Sequence, residues 1–473
     1  MKRWMMLLMM MLLLLPPGIG TAEDAALFPA KGENGLWGYI DRTGAFAIPP
    51  QYAQISPWLG RWAAVSEDGA LWGIVDAEGN AVLPQDYVIE WNTGGRALAV
   101  YRADSPDIRA DWAVPLGVQV CGLFDLSTGN FTGFRWKSAS LPWVDTPLIP
   151  VLGDNHLWGY ASLDTGEQPI PCQFAEAHEF HEGWAVVQLP PVESDWAGWA
   201  LVSEEGALVS PPEGLAIDPW SRVSQGLVAV RDLETDTAGY MDTQGRLAIP
   251  PRWNEAYPFS GNFGVVENWS GVWACRYVDR EGNMVPGVSA RPEGNGGYEF
   301  VNGLTSVFVE DPAGGDSRPG AMNEAGEILF TLPGENVFWL WNFMENGLAW
   351  YMEWHPEAGE GWYEQQFYGL ADSEGNLLTP SLFSCVDEEG SPFSEGLAPV
   401  YLIGAGKYNG GYLDEKGNWA IAPNYWYVGP FENGLAIVKT ELNRCAYIDH
   451  EGEEVYAWTM QDDSHWWDTG LPE

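Results

Sequence analysis

The sequence predicts an all-β fold of tandem three-stranded antiparallel β-meander repeats, arranged as a β-propeller-like ring or an open β-solenoid. Three observations carry it: an opening motif that returns along the chain, a turn glycine at near-constant spacing, and apolar runs too short for helices. Leu36-Trp-Gly-Tyr-Ile-Asp-Arg-Thr-Gly44 is followed by Leu71-Trp-Gly-Ile-Val-Asp-Ala-Glu-Gly79. Related openings end at Gly245, Gly282, Gly375, Gly417 and Gly452, and weaker copies reach Gly129, Gly166, Gly206 and Gly326. From Gly44 to Gly452 is 408 residues over ten steps, a mean period near 41.

Each part of the unit has a physical reading. Asp-x-x-Gly between two apolar runs specifies a type I turn, with the Asp carboxylate accepting backbone N–H groups and Gly taking positive φ to close a bulged hairpin. The runs on either side, Trp37 to Asp41 and Ala45 to Ile48, are the hairpin arms. Pro49-Pro50, Pro211-Pro212 and Pro250-Pro251 follow the second arm, and the missing N–H predicts that the strand ends there. An aromatic-x-x-Gly segment then leads into a third strand, as in Phe180 to Val187, Phe393 to Val400 and Phe431 to Val438. Aligned on the turn Asp, Trp37, Trp72, Trp158 and Trp199 share one column with Cys121, Cys275, Cys445 and Tyr368. A position that accepts Trp, Cys and Tyr is expected to be buried and apolar, which makes those cysteines core residues with no redox role. The glycine after the Trp is expected to let a neighbouring strand or ring come close.

The pattern Trp-Gly-Tyr-Ile-Asp-x-x-Gly, then Ile-Pro-Pro, then Phe-x-x-Gly-Leu-Ala-x-Val resembles the WG-repeat (KWG) family of bacterial repeat proteins. The resemblance runs from 36 to 457, about ten repeats, and degenerates near 101–150 and 286–360. It implies a β-repeat architecture and a role in binding or surface interaction. It brings no catalytic residues.

The N-terminus reads as an export signal over residues 1–22. Lys2 and Arg3 precede an apolar run from Met5 to Leu15, broken by Pro16-Pro17-Gly18, with Gly20 and Ala22 placed for cleavage. The run is about half the roughly 20 residues that span a bilayer, so no membrane insertion is expected after cleavage. A lead-in, 23–35, precedes the repeats, and an acidic, Trp-containing tail, 458–473, follows them. The expected location is secreted: extracellular, cell surface or periplasm. Against 66 acidic residues stand 22 basic ones, a net charge of −44, which leaves too few Lys and Arg for nucleic acid. That charge favours cationic partners, or serves as a solubility device. Disorder is excluded by a hydrophobic fraction of 46% that includes 27 Trp, 19 Tyr and 18 Phe.

Chemistry-bearing motifs are scarce. The turn carboxylates Asp41, Asp76, Asp242, Asp279, Asp372, Asp414 and Asp449 lack the alternating ligands of a calcium loop and are assigned to their own turns. His178-Glu-Phe-His181-Glu182 spaces its histidines by three where a zincin helix needs four, and reads as a solvated loop. No serine elbow, phosphate loop or dinucleotide fingerprint occurs. No catalytic, cofactor-binding or metal residues are therefore assigned, and no cofactor is expected. Between the strands lie Trp58, Trp62, Trp91, Trp136, Trp143, Trp253, Trp339, Trp341, Trp354, Trp362, Trp426, Trp466 and Trp467, either packing one unit on the next or offering aromatic platforms. The expectation is a non-enzymatic exported binding protein presenting repeat loops to a protein or glycan of the cell envelope. The alternatives are a polysaccharide hydrolase with an unrecognised carboxylate pair, or a structural spacer without a ligand.

Overall fold

The structure, a computed structural model, describes residues 26–91, 95–103, 120–192, 194–268, 274–290, 299–356, 365–385, 391–404, 409–441 and 443–459. The signal segment 1–22, most of the tail and Trp362, Trp466 and Trp467 lie outside the described residues. Among the described residues every bounded element is a β-strand, and every pairing given between them is antiparallel or a single bridge. No helix among them is long and apolar enough to cross a membrane. The chain forms two compact units, 1–208 with 455–473, and 209–454.

The first repeat shows the construction. Trp37–Ile40 pairs on one side with Phe28–Lys31 and on the other with Phe46–Tyr52. The hairpin between them is a three-residue loop in which Asp41 N–H reaches Ala45 O at 2.8 Å and Gly44 N–H reaches Asp41 O at 3.0 Å. All eleven turn glycines of the repeat series take positive φ, between +66° at Gly166 and +84° at Gly206. At each of the seven aligned aspartates one carboxylate oxygen accepts the backbone N–H two residues on and the N–H four residues on, as at Asp76 from Glu78 (3.1 Å) and Asn80 (2.7 Å). The carboxylates are consumed by their own turns.

At Pro211-Pro212 the strand ends as expected, stopping at Val209, but at the other two proline pairs it does not. Phe46–Tyr52 and Leu247–Trp253 run through Pro49-Pro50 and Pro250-Pro251, and the ladder jumps instead: Tyr240 pairs with Ile249, but Ala238 with Trp253. The two-proline bulge lifts the backbone over the facing strand, where proline's missing donor costs no ladder bond. What lies beneath it is the glycine that precedes the repeat tyrosine, after Trp158 in one repeat and after Ala238 in another. A Cβ on Gly239 would stand 2.5 Å from Ile249 O and 2.6 Å from Pro251 N; one on Gly159 would stand 2.6 Å from Ile170 O. The glycine exists to let this bulge pass.

Beyond the bulge the same extended chain changes sheet. After a single residue, Ala53, the strand resumes as Gln54–Ile55 and pairs with Ala63–Ser66 of the next repeat. The step recurs at Ala175 and Asn254, whose N–H groups reach Gln188 O and Glu267 O at 2.7 and 2.9 Å. This switch gives each repeat a borrowed strand, so most sheets have four strands where three are expected from sequence. Where the switching strand is unbroken, as in Ala81–Glu90, two repeats merge into a six-stranded sheet.

The core lies between successive sheets. Trp37, Tyr39, Ile48 and Tyr52 of the first repeat pack on Ile55, Ala63, Val65 and Val75 of the second, and Tyr240, Ile249 and Trp253 pack on Ala256, Phe259, Val266 and Val278. The repeat tyrosine staples this interface: Tyr39, Tyr160, Tyr240 and Tyr412 donate to the carbonyls of Ser56, His178, Tyr257 and Gly429 at 2.7–2.8 Å, each in the following repeat. In unit 1, residues of the last described strand pack on the first repeat. Tyr456 hydroxyl donates to Lys31 O at 2.9 Å, and the Trp458 ring meets Trp37 edge-on at 6.4 Å.

Candidate functional site

The aligned Trp/Cys column divides. Trp37, Trp199, Cys121, Cys275, Cys445 and Tyr368 are buried as expected, whereas Trp72 and Trp158 are half-buried. Burial pushes the Cys275 thiol up to about 11, and Cys121 higher still, so both remain protonated, unreactive thiols.

The two histidines of 178–182 do not converge. His178 Nε2 stands 3.9 Å from Glu176, its ring lies 5.4 Å from that of Trp199, and burial holds its pKa below the usual imidazole value. His181 Nε2 instead meets Glu179 Oε1 at 3.1 Å. Among the described residues no group of three His, Cys, Asp or Glu side chains is placed to hold a metal ion.

Most of the loop tryptophans pack between repeats. Trp136 and Trp253 are buried, and Trp58, Trp62, Trp91, Trp339, Trp341, Trp354 and Trp426 are half-buried. Trp62 shows how: its indole N–H donates to Leu126 O at 2.9 Å across repeats, and its ring meets Phe124 edge-on at 5.7 Å. Trp143 is different, with 52% of its surface exposed. It lies in unit 1, in the degenerate stretch, where Val144-Asp145-Thr146-Pro147 replaces the two-residue turn that precedes the third strand elsewhere. That turn is type I′ in the regular repeats, with φ of +53° and +81° at Glu395 and Gly396. The Trp143 backbone N–H donates to Glu179 Oε2 at 2.8 Å, so the carboxylate that meets His181 also fixes the loop.

Unit 2 holds a second exposed indole that the repeat alignment missed, Trp220 at 80%. The signal was present. Pro258, Pro392 and Pro430 are followed at once by the aromatic of the Phe-x-x-Gly segment, whereas residues 220–222 intervene between Pro219 and Val223. An insertion of that kind carries the ring away from the core.

A further set of polar groups lies inside the two units. The third strand of several repeats carries a buried polar residue at or near its end: Ser66 and Gln188 in unit 1, and Arg231, Glu267 and Lys439 in unit 2. Arg231 bonds Glu255 at 2.6 Å, Asp236 at 3.0 Å and Asn254 O at 3.1 Å. Burial raises the carboxyls of Asp218 and Glu255 above their usual values, and Arg231 opposes it. Glu255 faces Glu267 across the ladder. This is a carboxylate pair whose members are already engaged: Glu267 is only 3% exposed, and Glu255 bonds Arg231.

These features define an all-β protein of tandem antiparallel repeats with two exposed loop indoles. The chain carries WG containing repeats: the family model matches residues 37–69, 158–189, 239–271 and 411–441. No curated protein matches it. Among solved structures, one described as the eukaryotic initiation factor is 12% identical, with a TM-score of 0.38, covering 76% of this chain and 95% of that one. Dipeptidyl peptidase 4 of Porphyromonas gingivalis is 9% identical, with a TM-score of 0.36, covering 82% of this chain and 63% of that one. BamB of Moraxella catarrhalis is 12% identical, with a TM-score of 0.24, covering 60% and 85%.

Proposed function

We propose that this chain is an exported, non-enzymatic binding protein that presents loops of its β repeats to a protein or glycan of the cell envelope. The repeats of each unit are read as closing into propeller-like rings rather than an open solenoid, supported in unit 1 by the packing of Tyr456 and Trp458 on the first repeat. Export rests on the pattern of residues 1–22. The observation that carries the binding reading is the exposure of Trp143 and Trp220, each where the repeat departs from its pattern, while the other described loop tryptophans pack inward. Loops set on a rigid scaffold are where binding residues concentrate, and an indole offers a large contact area there.

Envelope material captured on wild-type protein and on the Trp143→Ala/Trp220→Ala double variant tests this. Capture that survives physiological salt and disappears in the variant is the expected result. Equal capture by both, or none by either, overturns it and leaves a spacer. Prolonged incubation with captured glycan separates binding from hydrolysis, since an enzyme shortens the chain.

A further inference from the structure

Among the described residues five asparagines stand directly before a glycine: Asn34, Asn302, Asn346, Asn409 and Asn433. In such a pair the backbone nitrogen can attack the asparagine side chain with least hindrance, because glycine has no Cβ to crowd the five-membered ring that forms. The fold treats the five differently. Asn34 Nδ2 donates to Pro50 O at 2.9 Å, and Asn302 Nδ2 to Glu345 O at 2.7 Å. Asn346 Nδ2 donates to Glu415 Oε1 at 3.2 Å, and Asn409 Nδ2 to Leu402 O at 2.9 Å. The Asn433 side chain is exposed and makes no hydrogen bond to any described residue. Its neighbouring nitrogen differs as well. Asn433-Gly434 is the two-residue type I′ loop between Tyr427–Glu432 and Leu435–Glu441, with φ of +53° and +93°. The Gly35 and Gly347 N–H groups close turns on Gly32 O and Met344 O, both at 2.9 Å. The Gly434 N–H instead donates to the carboxylate of Glu395, in the preceding repeat, 3.1 and 3.0 Å from its two oxygens. His450 Nε2 meets the same carboxylate at 3.0 Å, its ring stacked on Phe431 with centroids 4.4 Å apart. A carboxylate within hydrogen-bond reach of the proton that must leave is placed as a general base.

We propose that Asn433 is a self-modification site, at which the folded chain converts asparagine to aspartate and isoaspartate with Glu395 as the base. Gly434 N gives its proton to Glu395 and bonds to Asn433 Cγ. The Cγ–Nδ2 bond breaks, the proton passes to Nδ2, and ammonia leaves. Water then opens the succinimide ring at either carbonyl. Opening at the original peptide carbonyl sends the main chain through Cγ and adds a methylene to a loop of two residues. The register that pairs Glu432 with Leu435 across that loop is then strained. Either product adds a negative charge next to Glu432, in the turn that Glu395 holds from the preceding repeat. The conversion needs no ligand and stands apart from the binding proposed above.

The full chain is aged at neutral pH, once folded and once in denaturant, and the peptides bearing each asparagine are followed by mass spectrometry. Asn433 is expected to convert first in the folded chain. Asn302 is the matched control, since it shares the positive φ, +50° before Gly303 at +79°, but its amide is held by Glu345 O. In denaturant the two are expected to convert alike. Glu395→Gln keeps an acceptor for the Gly434 N–H but supplies no base, and is expected to slow Asn433 about tenfold. A thermal melt of that variant checks that the fold is retained. Amide exchange over 431–437 is expected to quicken in aged wild type and to stay unchanged in aged Asn433→Gln. Equal rates at Asn433 and Asn302 in the folded chain overturn the proposal. A lead for Asn433 that persists in denaturant overturns it too, because the fold then plays no part. An unchanged rate in folded Glu395→Gln overturns the assignment of the base.

Discussion

At the scale of single residues, the repeat is a set of backbone requirements more than a set of contacts. Gly239 is fixed by the proline bulge that passes over it, and a methyl group there has only backbone to push against. Gly239→Ala is expected to cost about 1–3 kcal/mol, read as a fall in the denaturation midpoint. The turn aspartates make a different demand. Asp279 accepts two backbone N–H groups and the Asn283 side chain, so Asp279→Ala is expected to cost about 1–2 kcal/mol, and Asp279→Asn, which keeps an acceptor, clearly less. Acid titration checks the charge. At Asp41 the hydrogen bonds from Thr43 hold the carboxyl below the usual 3.8; at Asp76, Asp242, Asp372 and Asp414 burial acts upward and the turn hydrogen bonds outweigh it. A lowered folded value means that the stabilisation is complete above 3.8 and is lost as pH falls through the folded values. Asp218 and Glu255 run the other way, since their raised values disfavour the fold as pH climbs past the usual carboxylate range. Melting temperature against pH is expected to fall on the acid side, where among the described residues the lowered aspartates, with Asp68, Asp125 and Asp232 added, outnumber the raised Asp218, Glu255 and Glu432.

At the scale of the element, the strand that changes sheet and the tyrosine that spans the gap make each repeat depend on the next. Tyr240→Phe keeps the ring on Phe259 at 4.9 Å and removes the hydroxyl bonds to Tyr257 O and Val265 O. The expected loss is about 1 kcal/mol, with faster amide exchange near Tyr257 as the local readout. The sequence announces the turns and the core column because these recur as residue types. It misleads at Pro49-Pro50 and Pro250-Pro251, though not at Pro211-Pro212: a lost donor ordinarily ends a strand, and nothing local shows that a bulge spares the bond. It hides the bond from Trp143 to Glu179, since 36 residues separate them. The buried polar strand ends are equally illegible, because Ser66, Gln188, Arg231, Glu267 and Lys439 share a place but no chemistry.

At the scale of the whole molecule, unit 1 is assembled from both ends of the described chain. Trp458 is buried against Trp37, and Tyr456 packs on Phe46 at 5.4 Å. Trp458→Ala is expected to cost unit 1 about 3–5 kcal/mol, seen as lost exchange protection over Trp37–Ile40 with unit 2 unchanged. The same arrangement imposes a timetable. A ribosome that has finished residue 208 must still add 246 more, residues 209–454, before the piece that completes unit 1 exists. At about 5–20 residues per second that is a wait of roughly 12–50 s. For that interval Trp37 and Phe46 lack the rings of Trp458 and Tyr456, and a holding chaperone has its clearest target there.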